Sequence, residues 1–282
     1  MRNAFVIAAM LLLASASASA QDSHAAHLEH VSFPVAAQDW AKQRLDKSPR
    51  HQEWVNVKAG NRTVNSFIVY PEVKNKATAV VVIHEIFGLS DWVRSVADQL
   101  AEAGYIAIAP DLLSGMGPKG GGSSEFTDRN GVGQAIRDLP PDQITSDLNA
   151  VADYVAKLPA ANGKVAVAGF CWGGGQSFRF ATNRPSLKAA FVFYGTGPDS
   201  KDAIARIKAP VYGFYGGNDA RVTATVTKTA DLMKEAGKTY EPVTYEGAGH
   251  GFMRAGEASD ASAENKKARE DAWKRWKELL AR

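Results

Sequence analysis

Five continuous apolar runs constrain the fold of this chain more than any other feature of its sequence. Each is rich in alanine, valine, isoleucine or aromatic residues, and they read AVVVIH, YIAIAPDLL, KVAVAGF, AAFVFYG and PVYGFYG. Runs without polar alternation are typical of strands that are buried on both faces of a sheet. Segments with helical periodicity lie between or after them, at residues 92–103, 143–158, 174–182, 222–236 and 261–280. This alternation predicts an α/β domain whose mostly parallel sheet is covered by helices on both faces.

Two segments differ from this alternation. WVNVKAG and RTVNSFIVYPE alternate apolar and polar residues around a turn at residues 59–61, which predicts an N-terminal antiparallel hairpin. Residues 114–137 include GMGPKGGGSSEFTDRNGVG and are predicted to form a glycine-rich loop after a strand. Loops at the carboxyl ends of parallel strands line the active-site crevice. This loop is therefore either a lid or specificity element or a mobile surface excursion.

The first twenty residues have the pattern of a secretory signal peptide. A basic start at Arg2 precedes an apolar run at residues 4–14, and Ala18 and Ala20 fit a cleavage site for small residues. The apolar run is shorter than the roughly 20 residues that span a bilayer. We predict cleavage after Ala20 and export to the periplasm or beyond, with an uncleaved anchor as the alternative. Residues 21–50 are then an N-terminal extension, and residues 51–282 form the main domain.

Charge and cysteine content narrow the class of protein. Lys and Arg number 33 against 30 for Asp and Glu, a net charge of +3 that does not favour nucleic acid as a partner. Cys171 is the only cysteine, which excludes an intramolecular disulfide and a metal site built from several cysteines. His24, His27 and His30 could gather a metal ion, but a flexible polar extension is the simpler interpretation. The expected partner is a small molecule, and a monomer is the default expectation for the oligomeric state.

The single cysteine occupies a motif for an exposed nucleophile. Residues 169–173 read GFCWG, with Cys171 at the centre of G-x-nucleophile-x-G, after an apolar strand and before a helix start. The flanking glycines let strand and helix approach closely at a sharp turn. The positive potential of a helix N-terminus favours a thiolate and an oxyanion alike. Cys171 is therefore the candidate nucleophile, and a buried cysteine beside a glycine turn is the alternative.

A nucleophile on such a turn needs an acid and a histidine that follow it in the chain. Asp219 lies in GGND just after an apolar strand, and His250 lies in GAGHGF between a strand and the last helix. We predict that His250 is the base and that Asp219 orients its imidazole and stabilises the imidazolium. The alternatives are a solvated loop histidine and an aspartate that only caps the following helix.

Backbone groups near these residues are expected to form an oxyanion hole. The N–H groups of Trp172 and of Ile86, in the loop HEIFG after the AVVVIH strand, are the candidates. Glu85 in the same loop is unusual, because a carboxylate aimed at Cys171 would favour the neutral thiol over the thiolate. A surface carboxylate is the alternative for Glu85. Tyr194 could reach the same crevice, although a packed tyrosine is the simpler interpretation.

Taken together, these segments resemble the dienelactone hydrolase family of α/β-hydrolases. The resemblance covers residues 55–280 and rests on HEIFG at 84–88, APDLL at 109–113, GKVAVAGFCWGGG at 163–175, GGND at 216–219 and GAGHGF at 247–252. It implies a single-domain α/β-hydrolase fold. It also implies hydrolysis of a lactone or small carboxylic ester through a thioester intermediate, with no cofactor and no metal.

The resemblance further implies roles for individual residues. It implies a triad of Cys171, Asp219 and His250, and a Glu85 that interacts with the resting thiol and is displaced when substrate binds. Arg254, four residues after the histidine, matches one of the two arginines that hold a substrate carboxylate in members acting on dienelactone.

The match to the dienelactone-specific members is incomplete. The second arginine could be Arg129 or Arg137, which both lie in or beside the glycine-rich loop, and Gly251 stands where the dienelactone-specific pattern has serine. A general carboxylesterase without dienelactone preference is therefore the main alternative function. A non-catalytic binding module that retains the fold and a thiol sensor based on Cys171 are alternatives from other classes.

Overall fold

The structure, a computed structural model, describes residues 39–282. The predicted signal peptide, most of the predicted extension and the three histidines near the N-terminus lie outside the described residues. The part described contains one eight-stranded sheet with the strand order β1-β2-β4-β3-β5-β6-β7-β8. The α/β fold with a mostly parallel sheet is thereby confirmed.

An antiparallel hairpin forms one edge of the sheet, as the alternating pattern predicts. Strand β1 (Gln52–Ala59) pairs with β2 (Arg62–Val69), and Gly60 has a positive φ of 63° at the turn between them. Strand β2 pairs antiparallel with β4, with Ser66 opposite Pro110. The six remaining strands are all parallel, and they are β3 (Ala77–Ile83), β4 (Ile106–Pro110), β5 (Ala161–Phe170), β6 (Ala190–Phe193), β7 (Val211–Gly216) and β8 (Tyr240–Tyr245). Their carboxyl ends consequently meet at one edge, where such sheets bind their ligands.

Nine helices are found in residues 39–282. They are α1 (Asp39–Lys47), α2 (Asp91–Glu102), α3 (Arg129–Arg137), α4 (Pro141–Ala156), α5 (Trp172–Asn183), α6 (Lys201–Ala205), α7 (Ala220–Glu235), α8 (Phe252–Ala255) and α9 (Ala263–Ala281). The five helices predicted from periodicity correspond to α2, α4, α5, α7 and α9, each with boundaries within two residues of the predicted ones. Within the described residues, no helix has the length and apolar character needed to cross a membrane.

The core consists of two apolar layers on opposite faces of the sheet. Side chains alternate between the faces along a strand, so Val81 and Ile83 of β3 join one layer and Val80 and Val82 join the other. Helices α3, α4, α5 and α7 contribute to the first layer, and α1, α2 and α9 contribute to the second. Because both faces are covered, the β3 run can be apolar at nearly every position.

The glycine-rich segment is more ordered than predicted. Residues 129–137, placed in the loop on sequence grounds, form helix α3, so that part of the loop prediction is wrong. Asp128 caps the helix by accepting a hydrogen bond from the N–H of Gly131 at 2.8 Å, and Val132 and Ile136 bury one face. Burial of that face outweighs the low helix propensity of the two glycines in α3.

The remainder of the glycine-rich loop is held to the sheet by a buried carboxylate. Asp111, directly after β4, accepts hydrogen bonds from Ser123 N–H at 2.7 Å and from the Ser123 hydroxyl at 2.6 Å. The same hydroxyl accepts a bond from Leu89 N–H at 3.0 Å, which ties the loop to the segment after β3. These bonds fix the base of the loop beside the carboxyl ends of the strands.

Candidate active site

Cys171 stands at a strained turn between β5 and α5. Its φ of 56° and ψ of −119° lie in a region that non-glycine residues rarely adopt. The N–H of Cys171 donates to the Phe193 carbonyl at 3.0 Å, and the Cys171 carbonyl accepts from Gly174 N–H at 3.0 Å. These bonds hold the strained turn in place, and the side chain is half-buried rather than enclosed in the core. The structure therefore places Cys171 where a nucleophile on an elbow must be.

The glycines around Cys171 are required by close backbone contacts. A Cβ atom on Gly169 would overlap the carbonyl of Gly173, and one on Gly173 would overlap the carbonyl of His84. Helix α5 can therefore begin directly against the ends of β3 and β5 only because these positions lack side chains. This close approach directs the N-terminus of α5 at the carboxyl edge of the sheet.

His250 and Asp219 are brought together from two loops after β7 and β8. The Nδ1 atom of His250 lies 2.5 Å from Oδ2 of Asp219. Asp219 is the N-cap residue directly before helix α7, but its side chain makes no capping hydrogen bond and contacts the imidazole instead. Asn218 joins the two loops, because its N–H donates to Ala248 and its side-chain amide donates to Gly247. The arrangement is that of a histidine oriented by a buried carboxylate.

The charge state of His250 depends on both of its neighbours. Burial alone lowers the pKa of His250, but hydrogen bonding to Asp219 and to Cys171, with the negative charges of those groups, raises it to about 9. Asp219 and Cys171 thus both stabilise the imidazolium. An imidazole whose cationic form is favoured in this way can accept a proton from Cys171 and return it to a leaving group.

The two predicted oxyanion donors flank this region. Among residues 39–282, no hydrogen bond from the N–H of Ile86 or of Trp172 to another protein group is found. Trp172 is the first residue of α5, and Ile86 lies in the turn that Gly88 N–H closes onto the Glu85 carbonyl at 3.2 Å. Both donors are therefore available to an oxygen that develops negative charge.

A buried histidine that the sequence left without a role supports this turn. His84 is fully buried, and its Nδ1 lies 2.8 Å from the Glu85 carbonyl. Leu112 N–H donates to its Nε2 at 3.4 Å, and its ring stacks on Trp172 at 5.5 Å. Burial lowers the pKa of His84, so the neutral ring donates through one nitrogen and accepts through the other. His84 therefore contacts both of the segments that carry the predicted oxyanion donors.

Glu85 and Arg254 form a buried ion pair with each other. The Nε atom of Arg254 lies 2.8 Å from Oε2 of Glu85, and the two side chains are 14% and 3% exposed. Burial lowers the pKa of Arg254, but Glu85 outweighs this effect and raises it. No hydrogen bond between Glu85 and Cys171 is found in the part of the chain that the structure describes. The predicted contact of Glu85 with the thiol is therefore not found, and Glu85 pairs instead with Arg254, the residue predicted to bind a substrate carboxylate.

A second arginine lies close to the same aromatic ring as Arg254, Phe87, which the sequence did not single out. The guanidinium carbon of Arg129 lies 5.3 Å from the Phe87 ring centre, and that of Arg254 lies 5.5 Å from it. Burial and the charge of Arg254 lower the pKa of Arg129. Arg137, the other arginine considered from sequence, is exposed and bonds to Gln134 within α3.

In residues 39–282, no cluster of three or more His, Cys, Asp or Glu side chains could hold a metal ion.

A parallel sheet of this order, a nucleophile elbow after β5 and a histidine–aspartate pair after β8 and β7 define an α/β-hydrolase. The sequence profile of the dienelactone hydrolase family matches residues 64–282. The chain belongs to the dienelactone hydrolase family.

Individual relatives agree with this assignment. The chain is 32% identical to a protein provisionally named carboxymethylenebutenolidase from Methylorubrum extorquens, over 70% of this chain and 69% of the relative. It is also 32% identical to a protein of the same provisional name from Saccharolobus solfataricus, over 78% of this chain and 94% of the relative. A crystal structure provisionally named dienelactone hydrolase, from Klebsiella pneumoniae, matches with a TM-score of 0.72 and 28% identity, over 83% of this chain and 99% of that one.

These relatives show that the protein is a hydrolase of carboxylic ester or lactone bonds, similar to dienelactone hydrolase. That conclusion does not favour the non-catalytic module and the thiol sensor.

Proposed function

We propose that this protein is an exported cysteine hydrolase that opens an anionic lactone or small ester through a Cys171–His250–Asp219 triad. The observation that carries the proposal is the pairing of a strained Cys171, at φ 56°, with an imidazole whose Nδ1 lies 2.5 Å from Asp219. Strain of this kind is concentrated at functional sites. A thiol that served only as a small apolar side chain would require neither the strained turn nor the oriented base.

The reaction begins with proton transfer from Cys171 to His250. The thiolate adds to the substrate carbonyl, and the N–H groups of Ile86 and Trp172 hold the resulting oxyanion. When the tetrahedral intermediate collapses, the carbonyl–oxygen bond of the ester breaks and the leaving oxygen takes the proton from His250. Water then attacks the thioester with His250 as the base, which releases the acid and restores the thiol.

The anionic character of the substrate follows from the groups around Phe87. A carboxylate on the substrate could form paired hydrogen bonds with the planar guanidinium of Arg254 in the place of Glu85. Burial lowers the pKa of Arg129, and the charge of the nearby Arg254 lowers it further. An anion bound between the two guanidinium groups would relieve that repulsion. We therefore assign the role of the second arginine to Arg129 rather than to Arg137.

Glu85 then competes with the substrate for Arg254. In the resting site its Oε2 atom lies 2.8 Å from Nε of Arg254, the group that a substrate carboxylate would take. A substrate carboxylate that pairs with Arg254 therefore displaces Glu85 from its counterion.

Export is the part of the proposal that depends on sequence alone. Residues 1–20 carry the signal-peptide pattern, and cleavage after Ala20 would give a mature chain that begins at Gln21. Expression of the full chain in a bacterium, followed by fractionation and N-terminal sequencing, should recover a periplasmic protein that starts at Gln21. Recovery of the intact chain in the membrane fraction would instead indicate an uncleaved anchor.

The enzymatic proposal is tested with a matched pair of esters. The p-nitrophenyl esters of butyrate and of succinate have acyl groups of the same chain length and differ in one carboxylate. We expect kcat/KM for the succinate ester to be at least about tenfold higher, as a charged hydrogen-bond pair to Arg254 would give. Equal values would favour the general carboxylesterase, which the glycine at position 251 also leaves open.

The same assay tests the nucleophile. Cys171→Ala should reduce turnover of both esters by at least about a thousandfold with an unchanged circular dichroism spectrum. Ser177→Ala is a matched control in the same helix, because its buried hydroxyl bonds to the Phe191 carbonyl at 3.0 Å and is not among the residues of the reaction. Retention of turnover by Cys171→Ala would contradict the mechanism.

A further inference from the structure

Tyr194 lies next to the strained turn that holds Cys171, but it has no part in the mechanism above. Within residues 39–282, Cys171 and Tyr194 are the two non-glycine residues with positive φ, at 56° and 41°. Tyr194 follows β6 as Cys171 follows the neighbouring β5, and Cys171 N–H donates to Phe193, the residue before Tyr194. Strain at a tyrosine persists only where the surrounding structure imposes it, and it is concentrated at functional sites.

The hydroxyl of Tyr194 has no partner in the resting site. The residue is 1% exposed, and its hydroxyl makes no hydrogen bond in the part of the chain that the structure describes. A buried donor without an acceptor destabilises a protein, so the great majority of buried polar atoms are paired. The packing of the Tyr194 ring would be the same without the hydroxyl. The hydroxyl is therefore explained by a partner that it gains in another state of the site.

The surroundings of Tyr194 identify the candidate partner. Its ring packs edge-to-face on His250 at 5.1 Å and on Phe252 at 5.4 Å. Burial, followed by the charge of Glu85, raises the pKa of Tyr194 well above its ordinary value, while the charge of Arg254 opposes this shift. The hydroxyl therefore stays protonated and can donate a hydrogen bond to an anion. Glu85 is the nearby anion that loses its counterion when a substrate carboxylate takes Arg254.

We propose that the Tyr194 hydroxyl donates a hydrogen bond to the Glu85 carboxylate once an anionic substrate has displaced Glu85 from Arg254. Glu85 is almost fully buried, so displacement without a new donor would leave a desolvated charge unpaired. Tyr194 is thus a positioning residue that acts through Glu85. This inference rests on the proposed function, because it requires a substrate that competes for Arg254.

The test is Tyr194→Phe, which removes only the hydroxyl. We expect kcat/KM for the p-nitrophenyl ester of succinate to fall at least about tenfold, as for a lost hydrogen bond to a charged group. The loss for the butyrate ester, which leaves Glu85 on Arg254, should be several times smaller. The melting temperature should stay the same or rise, because no hydrogen bond of the resting protein is lost. Equal losses for the two esters, or no loss for either, would overturn the inference.

A matched control is available in the other core layer. Tyr215 is equally buried, but its hydroxyl is paired with that of Tyr240 at 2.6 Å. Tyr215→Phe should lower the melting temperature and leave the ratio of the two ester activities unchanged. Tyr194→Phe should do the reverse. A change of this ratio in Tyr215→Phe as large as in Tyr194→Phe would contradict a role specific to Tyr194.

A double-variant cycle identifies Glu85 as the partner. In a Glu85→Gln background the displaced side chain carries no charge, so Tyr194→Phe should cost less than about threefold with the succinate ester. A tenfold cost that persists in this background would exclude Glu85 as the partner. A failure of the proposed function would be seen separately. The wild-type enzyme would then turn over the two esters equally, or the Cys171→Ala variant would retain activity.

Discussion

The two halves of the candidate site are built in different ways. The half proposed to be catalytic, called the catalytic half below, is Cys171 with His250 and Asp219, and it depends on backbone geometry at the ends of strands. The half proposed to bind the substrate anion, called the recognition half below, consists of the buried Glu85–Arg254 pair and the half-buried Arg129, and both arginines lie near Phe87. The backbone of a strand end admits little variation, whereas an ion pair can exchange one anion for another. Under the proposed function, fixed backbone geometry therefore sets the chemistry, and a few charged side chains set the substrate preference.

Asp219→Asn tests the catalytic half most strongly, because it keeps the shape of the side chain and removes its charge. An amide cannot stabilise the imidazolium and favours the wrong tautomer of His250, so kcat should fall by about a hundredfold to ten-thousandfold. Asp199→Asn is the control, because Asp199 forms an exposed ion pair with Lys228. Steady-state kinetics with both esters should show equal losses. A loss confined to the anionic ester would mean that Asp219 belongs to the recognition half.

The recognition half is tested by Arg254→Gln. We expect KM for the p-nitrophenyl ester of succinate to rise about tenfold to a hundredfold, because a charged hydrogen-bond pair with the carboxylate is lost. KM for the butyrate ester should change much less. Arg137→Gln is the matched control and should leave both values near those of the wild type.

Removal of Arg254 also leaves Glu85 buried without its cation, which destabilises the fold. Arg254→Lys retains the charge without the planar fork and should lie between the wild type and Arg254→Gln in KM. A KM for Arg254→Lys equal to that of the glutamine variant, with intact folding, would show that fork geometry matters more than charge. Unchanged KM values in both variants would contradict the assignment of Arg254.

A smaller effect concerns pH and belongs to the catalytic half alone. The pKa of His250 is about 9 in the folded protein, above its ordinary value of 6.5. Its protonation therefore stabilises the fold fully below pH 6.5, and this stabilisation is lost as the pH rises through 9. The melting temperature of the wild type minus that of His250→Gln should decrease between about pH 6 and about pH 10. A constant difference across this range would contradict the raised pKa.

The placement of Cys171, Asp219 and His250 could be predicted from sequence, because each residue lies in a short motif next to an apolar strand. GFCWG lies between an apolar strand and a helix start, and the order Cys171, Asp219, His250 is that of the fold. The structure brings His250 and Asp219 together as this order requires. The two oxyanion donors also lie at the predicted turns, since those turns are fixed by the ends of β3 and β5.

The recognition half was less accessible to sequence reasoning. Glu85 and Arg254 are 169 residues apart, and nothing in either motif indicates that they form a pair. The sequence leaves two candidates for the second arginine, because the glycines of α3 hide its helical pattern. The signal that indicates this helix is Asp128 at its N-cap, followed by Val132 and Ile136 at helical spacing. Tyr194 was predicted as a packed tyrosine, which is true of its ring, but an unpartnered hydroxyl is a property of the folded state alone.

The most direct test of the central claim is to locate the acyl group during turnover. Purified protein is mixed with p-nitrophenyl acetate, quenched in acid, and examined by intact-protein and peptide mass spectrometry. The account predicts one acetyl group on the peptide that contains Cys171, formed with release of nitrophenolate and absent from Cys171→Ala. Turnover with the acetyl group on another residue, or with an acetylated Cys171→Ala protein, would contradict it.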